Sequence, residues 1–161
     1  MSEVAILAGY RPTLLGRVVE MHATYYAREY GFGVHFERKV GAEMAEYLGR
    51  IDQQVNATFR AEKDSRIIGS VTIDGQDLGD NIAHLRWFIM DDAARGLGVG
   101  RQLMDAAMAH VARCGFSETH LWTFSGLDAA RKLYESHGFR LVEEARGQQW
   151  GTEVMEQKFI R

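Results

Sequence analysis

The chain is poor in the features that would staple, export or anchor it. Cysteine occurs once in 161 residues, as Cys114, which excludes an internal disulfide and suits a reducing compartment. A metal centre is not expected either. Cys114 follows His110 by four residues, on one face of an expected helix, but no third ligand accompanies them and a structural zinc site needs four. A small buried thiol at a helix end is the better reading, and a Cys-His nucleophile fails for want of a third group to orient the histidine. No apolar run approaches the ~20 residues that span a bilayer, and no basic segment leads into an apolar one at the N-terminus. A cytoplasmic protein without a membrane partner is expected. Excess charge is also missing: a net charge of -3 gives no general attraction to nucleic acid, so no nucleic-acid partner is expected.

What is present is an ordinary globular composition, 46% hydrophobic and 25% charged. At this length one domain over residues 1–161 buries roughly two thirds of its unfolded surface. Periodicity predicts a strand over 4–8 and a helix over about 13–28, entered at Pro12 with Leu15, Val18, His22 and Tyr25 on one face. A second helix follows over 36–48 after the glycine hinge at Gly31 and Gly33. Strands over 57–63 and 66–74 form a hairpin about Asp64-Ser65, and a long apolar strand covers 82–90. A helix over 100–114 stops at Gly115, a strand covers 120–124, and Asp128 opens a helix with Ala130, Leu133, Tyr134 and His137 inward. Strands over 140–144 and 152–160 close the chain. With no linker, low-complexity tract or repeat, this is a mixed α/β domain.

The stretch that organises the rest is Asp-Asp-Ala-Ala-Arg-Gly-Leu-Gly-Val-Gly-Arg, residues 91–101. It joins the strand ending at Met90 to a helix N-terminus, whose first amides lack partners and carry partial positive charge. Gly96, Gly98 and Gly100, flanked by Arg95 and Arg101, read as a cradle for a pyrophosphate. An ATP or GTP loop would need Lys and then Ser or Thr after the last glycine, where Arg101 and Gln102 stand. A dinucleotide fold would want glycine at 101 and an acid at the end of the next strand, whereas Glu118 precedes that strand.

Arg95-Gly96-Leu97-Gly98-Val99-Gly100 resembles the Gln or Arg-x-x-Gly-x-Gly or Ala signature of the GNAT superfamily of acetyl-CoA-dependent N-acetyltransferases. Ala129-Ala130-Arg131-Lys132-Leu133-Tyr134-Glu135-Ser136-His137-Gly138-Phe139 is similar to that family's Ala-x-x-x-Leu-Tyr-x-x-x-Gly-Phe helix, in the right order downstream. Looser likeness extends to the acetyltransferase half of bacterial fusions with MarR-type regulators. It is carried by Tyr26-Ala27-Arg28-Glu29-Tyr30-Gly31, Leu85-Arg86, Leu121-Trp122-Thr123 and Gly138-Phe139-Arg140-Leu141. The regulator half is absent from this chain, so no DNA role is implied.

The resemblance implies a fold with a central, mostly antiparallel mixed sheet of six to seven strands flanked by about four helices. It implies acetyl-CoA as co-substrate and a primary amine, small or peptidic, as acceptor. Phe88, Ile89 and Met90 would pair with the pantetheine arm, and Arg95, Gly96, Leu97, Gly98, Val99, Gly100 and Arg101 would hold the pyrophosphate. Leu127 occupies the place of the family's pantetheine-binding asparagine, so that contact is either missing or replaced by Ser125. Asp92 stands where many members have proline. Tyr134 would be the general acid, because a phenol of pKa ~10 stays protonated at neutral pH and can donate to a thiolate. Tyr26, Phe32 and Trp122 are candidates to line the acceptor side. The strand that carries a glutamate base in many relatives holds His84 and Arg86 instead, leaving Glu20, His22, Glu29 and His120 as candidate bases, or a water chain with no single base. A homodimer is a further implication. The competing reading is a non-catalytic acyl-CoA-binding module.

Overall fold

A computed structural model describes residues 3–161. Strand β1 (Ala5–Ala8) leads into helices α1 (Leu14–Tyr30) and α2 (Val34–Leu48), followed by strands β2 (Ala57–Lys63), β3 (Arg66–Asp74) and β4 (Ile82–Met90). Helix α3 (Val99–Cys114), strand β5 (Glu118–Phe124), helix α4 (Asp128–Ser136) and strands β6 (Arg140–Gly147) and β7 (Val154–Ile160) complete it. The strands form one seven-stranded sheet in the order β1-β2-β3-β4-β5-β7-β6. Every neighbouring pair is antiparallel except β4 and β5. This is the mixed α/β architecture implied by the sequence.

Two helices cover each face. Leu14, Val18 and Met21 of α1 and Met44 of α2 pack on Ile67 and Ile89. On the other face Leu103, Met104 and Ala107 of α3 pack on Val71, Ile73 and Leu85, and Tyr134 of α4 joins that cluster. Strand β3 is buried along almost its whole length, as a strand covered on both sides must be. The β2–β3 turn has positive φ at both Asp64 (52°) and Ser65 (63°), the twist-matched geometry of a two-residue hairpin. Among the described residues no helix is long and apolar enough to cross a membrane.

Several boundaries differ from those read in the sequence. Pro12 lies outside α1, because Thr13 takes the left-handed conformation (φ 82°) as N-cap and the helix starts at Leu14. Strand β5 begins at Glu118, which is therefore in the strand and not before it: its pairing with Ile82 extends β5 backwards. Strand β6 runs on to Gly147 because it pairs with β7 as far as Val154. Of the four residues expected on the inner face of α4 only Tyr134 is buried. His137 stands at the helix C-terminus, where Nε2 meets Asp105 Oδ1 at 2.8 Å.

The feature that positions the site is in β4. Thr72 faces Arg86 and Ser70 faces Ile89, so Trp87 and Phe88 share the space opposite Val71. That is a β-bulge, and Trp87 carries it at φ 52°. Strands β4 and β5 pair only from Ile82 and Glu118 to His84 and His120. Beyond that, β5 pairs on its other side with β7. The C-terminal halves of two parallel neighbours thus part, leaving an opening through the sheet.

Candidate active site

Two cavities enter this opening. One, about 660 Å³, runs between β4 and the start of α4, lined by Phe88, Ile89, Met90, Arg95, Gly96, Leu127 and Tyr134 among others. The other, about 310 Å³, lies against α1 and α2 and is lined by Phe36, Glu43, Asp77, His84, Arg86, Trp122 and Trp150 among others. Tyr26, Phe88 and Tyr134 line both. A molecule in either cavity therefore meets its counterpart at these three rings.

The loop at the far end of the larger cavity is built for an anion. Asp92–Ala94 form a 3-10 turn whose entry is held by the Asp91 carboxylate accepting from the Ala93 amide. Gly98 is the N-cap of α3 at φ 71°, a conformation that disfavours side chains. No side chain caps α3, so its first amides are left for a ligand. Gly100 is closely packed: a Cβ there would lie 3.0 Å from Met90 Cε and 3.2 Å from Leu133 Cδ2. Asp92, where the family often has proline, bonds Arg28 at 2.9 Å and Arg95 at 3.2 Å. It ties α1 to the loop, and these arginines hold its carboxyl below the usual range, Arg28 first.

The sequence-derived candidates fall into four places. Phe88, Ile89, Met90, Arg95 and Gly96 line the larger cavity with Tyr134, and Leu97, Gly98, Val99, Gly100 and Arg101 carry the chain from it into α3. The Val99 and Ile89 side chains are in the core, leaving backbone as what they can offer. Ser125 lies in a small neighbouring pocket and not in the large cavity, which Leu127 borders instead. Tyr26 and Trp122 line the smaller cavity. Phe32 lines neither: it is packed with Phe36, Val40 and Phe124 behind the cavity wall.

Tyr134 is 7% exposed, its ring 6.0 Å from that of Phe88 and 6.1 Å from those of Phe139 and Phe159. Burial pushes its phenol well above the ordinary value. Tyr26 is raised further, by burial first and by neighbouring Tyr134 next. Both hydroxyls stay protonated near neutrality and are poised to donate. Of the candidate bases, Glu20 and Glu29 are half exposed and paired with Arg17 and Arg28. His120 faces Glu118 at 3.0 Å and lies outside the cavity. His22 lines the cavity, but burial lowers its ring to about 4.

The smaller cavity contains more charge than its sequence neighbourhood suggests, and the charges are paired. Arg86 reaches Glu43 and Asp74 at 3.1 Å and Asp77 at 3.5 Å, with its guanidinium 4.2 Å from the Trp87 ring centroid. Lys39 bonds Glu43 at 2.7 Å, and Arg50 bonds Asp74 at 2.8 Å. Burial raises the Asp74 carboxyl, but the Arg50 and Gln76 hydrogen bonds and the two guanidinium charges outweigh it and bring it to about 2. Reading the sequence missed Asp77 and Trp150 as wall residues, and among the aromatics of the first two helices it favoured Phe32 where Phe36 lines the wall. Trp150 sits in the Gln-Gln-Trp-Gly loop between the last two strands, where an aromatic residue in a polar connection was the available signal. Cys114 Sγ lies 3.5 Å from His110 Nε2, and no group of three metal-ligating side chains occurs among the described residues.

A sheet split after a bulged strand, with a glycine loop at one mouth, defines a protein that holds an elongated ligand with an anionic end. The sequence model of the acetyltransferase (GNAT) family matches residues 17–139, and the chain belongs to that family. Solved structures agree in fold. The Salmonella typhimurium protein yncA, assigned as an acetyltransferase and solved with its cofactor acetyl-CoA, superposes with a TM-score of 0.78 at 16% identity, over 99% of this chain and 94% of that one. A ribosomal-protein-alanine N-acetyltransferase from Brucella melitensis gives 0.78 at 14%, over 98% of each. A GNAT-family acetyltransferase from Staphylococcus aureus gives 0.76 at 16%, also over 98% of each. No curated protein sequence is similar enough to be matched to the chain.

Proposed function

We propose that the protein moves the acetyl group of acetyl-CoA to a primary amine by direct attack. The observation that carries this reading is the meeting of the two cavities at Tyr26, Phe88 and Tyr134. A non-catalytic acyl-CoA-binding module would need only the larger one. Coenzyme A fits the larger cavity: about 660 Å³ of space ends at an uncapped helix whose glycines admit a diphosphate. Bound there, it supplies an activated acetyl thioester. The amides of α3 and Arg95 hold the diphosphate, and the backbone of Phe88 to Met90 borders the arm.

Tyr134 sits at the junction and gives its phenolic proton to the departing thiolate. Its hydroxyl has no protein hydrogen-bond partner among the described residues, which leaves it free to serve a ligand. The acceptor occupies the smaller cavity. Its carboxylates, Glu43 and Asp77, are already matched by Arg86 and Lys39, so the walls select by shape and aromatic contact more than by charge. An amine with an apolar or aromatic body suits Phe36, Trp122 and Trp150. We also place the protein in the cytoplasm, on its unpaired cysteine, and nearest in detail to the acetyltransferase half of MarR-type fusions. Three of the segments that carry that likeness, around Tyr26, Arg86 and Trp122, line the acceptor cavity. Release of free thiol from acetyl-CoA with a panel of amines tests the reading: tight binding without thiol release from any of them would leave the sensor module.

A further inference from the structure

An amine enters as an ammonium, and something must take its proton before nitrogen can attack. Four groups on the acceptor cavity wall could do so: His22, Glu43, Asp77 and His84. His22 is buried with Nδ1 held 2.8 Å from the Val18 carbonyl, and at about 4 its ring has little affinity for a proton near neutrality. Glu43 is shared between Lys39 and Arg86, and Asp77 between His84 and Arg86.

His84 is different. Its Nδ1 lies 2.7 Å from Asp77 Oδ2, and its ring stands edge-on to Trp122 with centroids 5.0 Å apart. A carboxylate can only accept, so in the neutral ring Nδ1 carries the hydrogen and Nε2 the lone pair. Nε2 has no protein partner among the described residues, and the side chain is 15% exposed, on the cavity wall. An oriented imidazole with one nitrogen fixed and the other open is the arrangement of a general base.

We infer that His84, oriented by Asp77, is the general base for the acceptor amine. This rests on the transferase reading above. His84 precedes Phe88 by four residues, roughly 13 Å along a strand, so the proton travels through cavity water. Nε2 accepts one proton of the ammonium and passes it to solvent, freeing the lone pair that makes the C–N bond as the thioester C–S bond breaks. Tyr134 protonates the thiolate and recovers the second nitrogen proton. The charged and titratable groups near His84 are Asp77 and Arg86, Asp74 opposite it on β3, His120 opposite it on β5 and, past Trp122, Lys158. Asp77 is a positioning residue.

The test compares parent, His84→Gln, His84→Ala and Asp77→Asn with two acceptors, an alkylamine that is an ammonium at pH 7 and trifluoroethylamine, which is already neutral. His84→Gln is expected to lower kcat/KM for the alkylamine by about 10²-fold and to change that for the neutral amine far less. Calorimetric acetyl-CoA affinity should hold, which also shows that the variant folds. Imidazole in the buffer should restore part of the His84→Ala rate. Asp77→Asn should lower the alkylamine rate selectively and move the acidic limb of its pH profile. Equal losses for both amines, or no loss, would overturn the assignment of His84 while leaving the transferase intact. No thiol release by the parent from any amine would overturn the transferase reading, and the base with it.

Discussion

His22 should make this protein lose stability in mild acid. The side chain is 6% exposed, and burial outweighs the Val18 hydrogen bond to lower its ring from 6.5 to about 4. Below pH 6.5 the unfolded chain therefore binds a proton that the folded chain refuses. The sign follows: the contribution is fully present above pH 6.5 and is lost as pH falls through 6.5 toward 4. A shift of that size corresponds to about 3 kcal/mol in full, of which about 2 kcal/mol is lost between pH 7 and pH 5. Urea melts at the two pH values read it directly. With m of about 2 kcal/mol/M, the parent's midpoint falls by about 1 M from this group. Other residues titrate in the same interval, so the measured quantity is the difference between parent and His22→Gln, in which shared titrations cancel. The variant is expected to lose about 2 kcal/mol less than the parent. Equal losses in the two proteins would refute the claim that the histidine is buried in its neutral form.

The other predictions concern single side chains or the loop. Tyr134→Phe removes a hydroxyl without a protein partner, so acetyl-CoA affinity by calorimetry should hold while turnover falls about 10²-fold or more; unchanged turnover removes the residue from the mechanism. Gly98→Val forces a β-branched residue to φ 71° at a strain of about 2 kcal/mol or more and puts a side chain where the diphosphate would approach. Coenzyme A binding should weaken at least tenfold, and parent-like calorimetry would sink the anion cradle. Asp74→Asn takes a charge from between Arg50 and Arg86 and should cost roughly 3 kcal/mol in denaturant unfolding at pH 7. In the parent that carboxylate gives up its contribution only as pH falls from 3.8 toward about 2.

What the sequence made legible was local. Glycines that need φ near 70° at 96, 98 and 115, apolar residues at helical spacing in α3, and the Asp64-Ser65 turn each express a rule acting within a few residues. The loop and the helices around it could therefore be read directly. The acceptor cavity could not, because its wall brings together Phe36, Asp77, His84, Trp122 and Trp150 from separate elements, and no spacing rule joins them. Phe32 shows the same limit from the other side. The family resemblance, in which the first two helices cover the substrate side, suggested a wall residue, yet tertiary packing turns it into the core against Phe124 at a ring separation of 5.5 Å. Ser125 was chosen as a neighbour in sequence, but it is the Leu127 side that faces the large cavity.

The bulge at Trp87 decides whether there is a site at all. With regular register, the second half of β4 would continue pairing with β5 as the first half does, and the space between Phe88 and Tyr134 would close. A bulky residue in the left-handed region costs on the order of 1–3 kcal/mol. Three contacts offset it: the Arg86 guanidinium 4.2 Å from the Trp87 ring centroid, the Tyr47 ring at 5.7 Å, and the carboxylates of Glu43, Asp74 and Asp77 that hold Arg86 in place. The paired charges beside the acceptor cavity are thus more than a lining. They fix the guanidinium that packs against the strained residue, so the split in the sheet depends on side chains from α2, β3 and the β3–β4 loop.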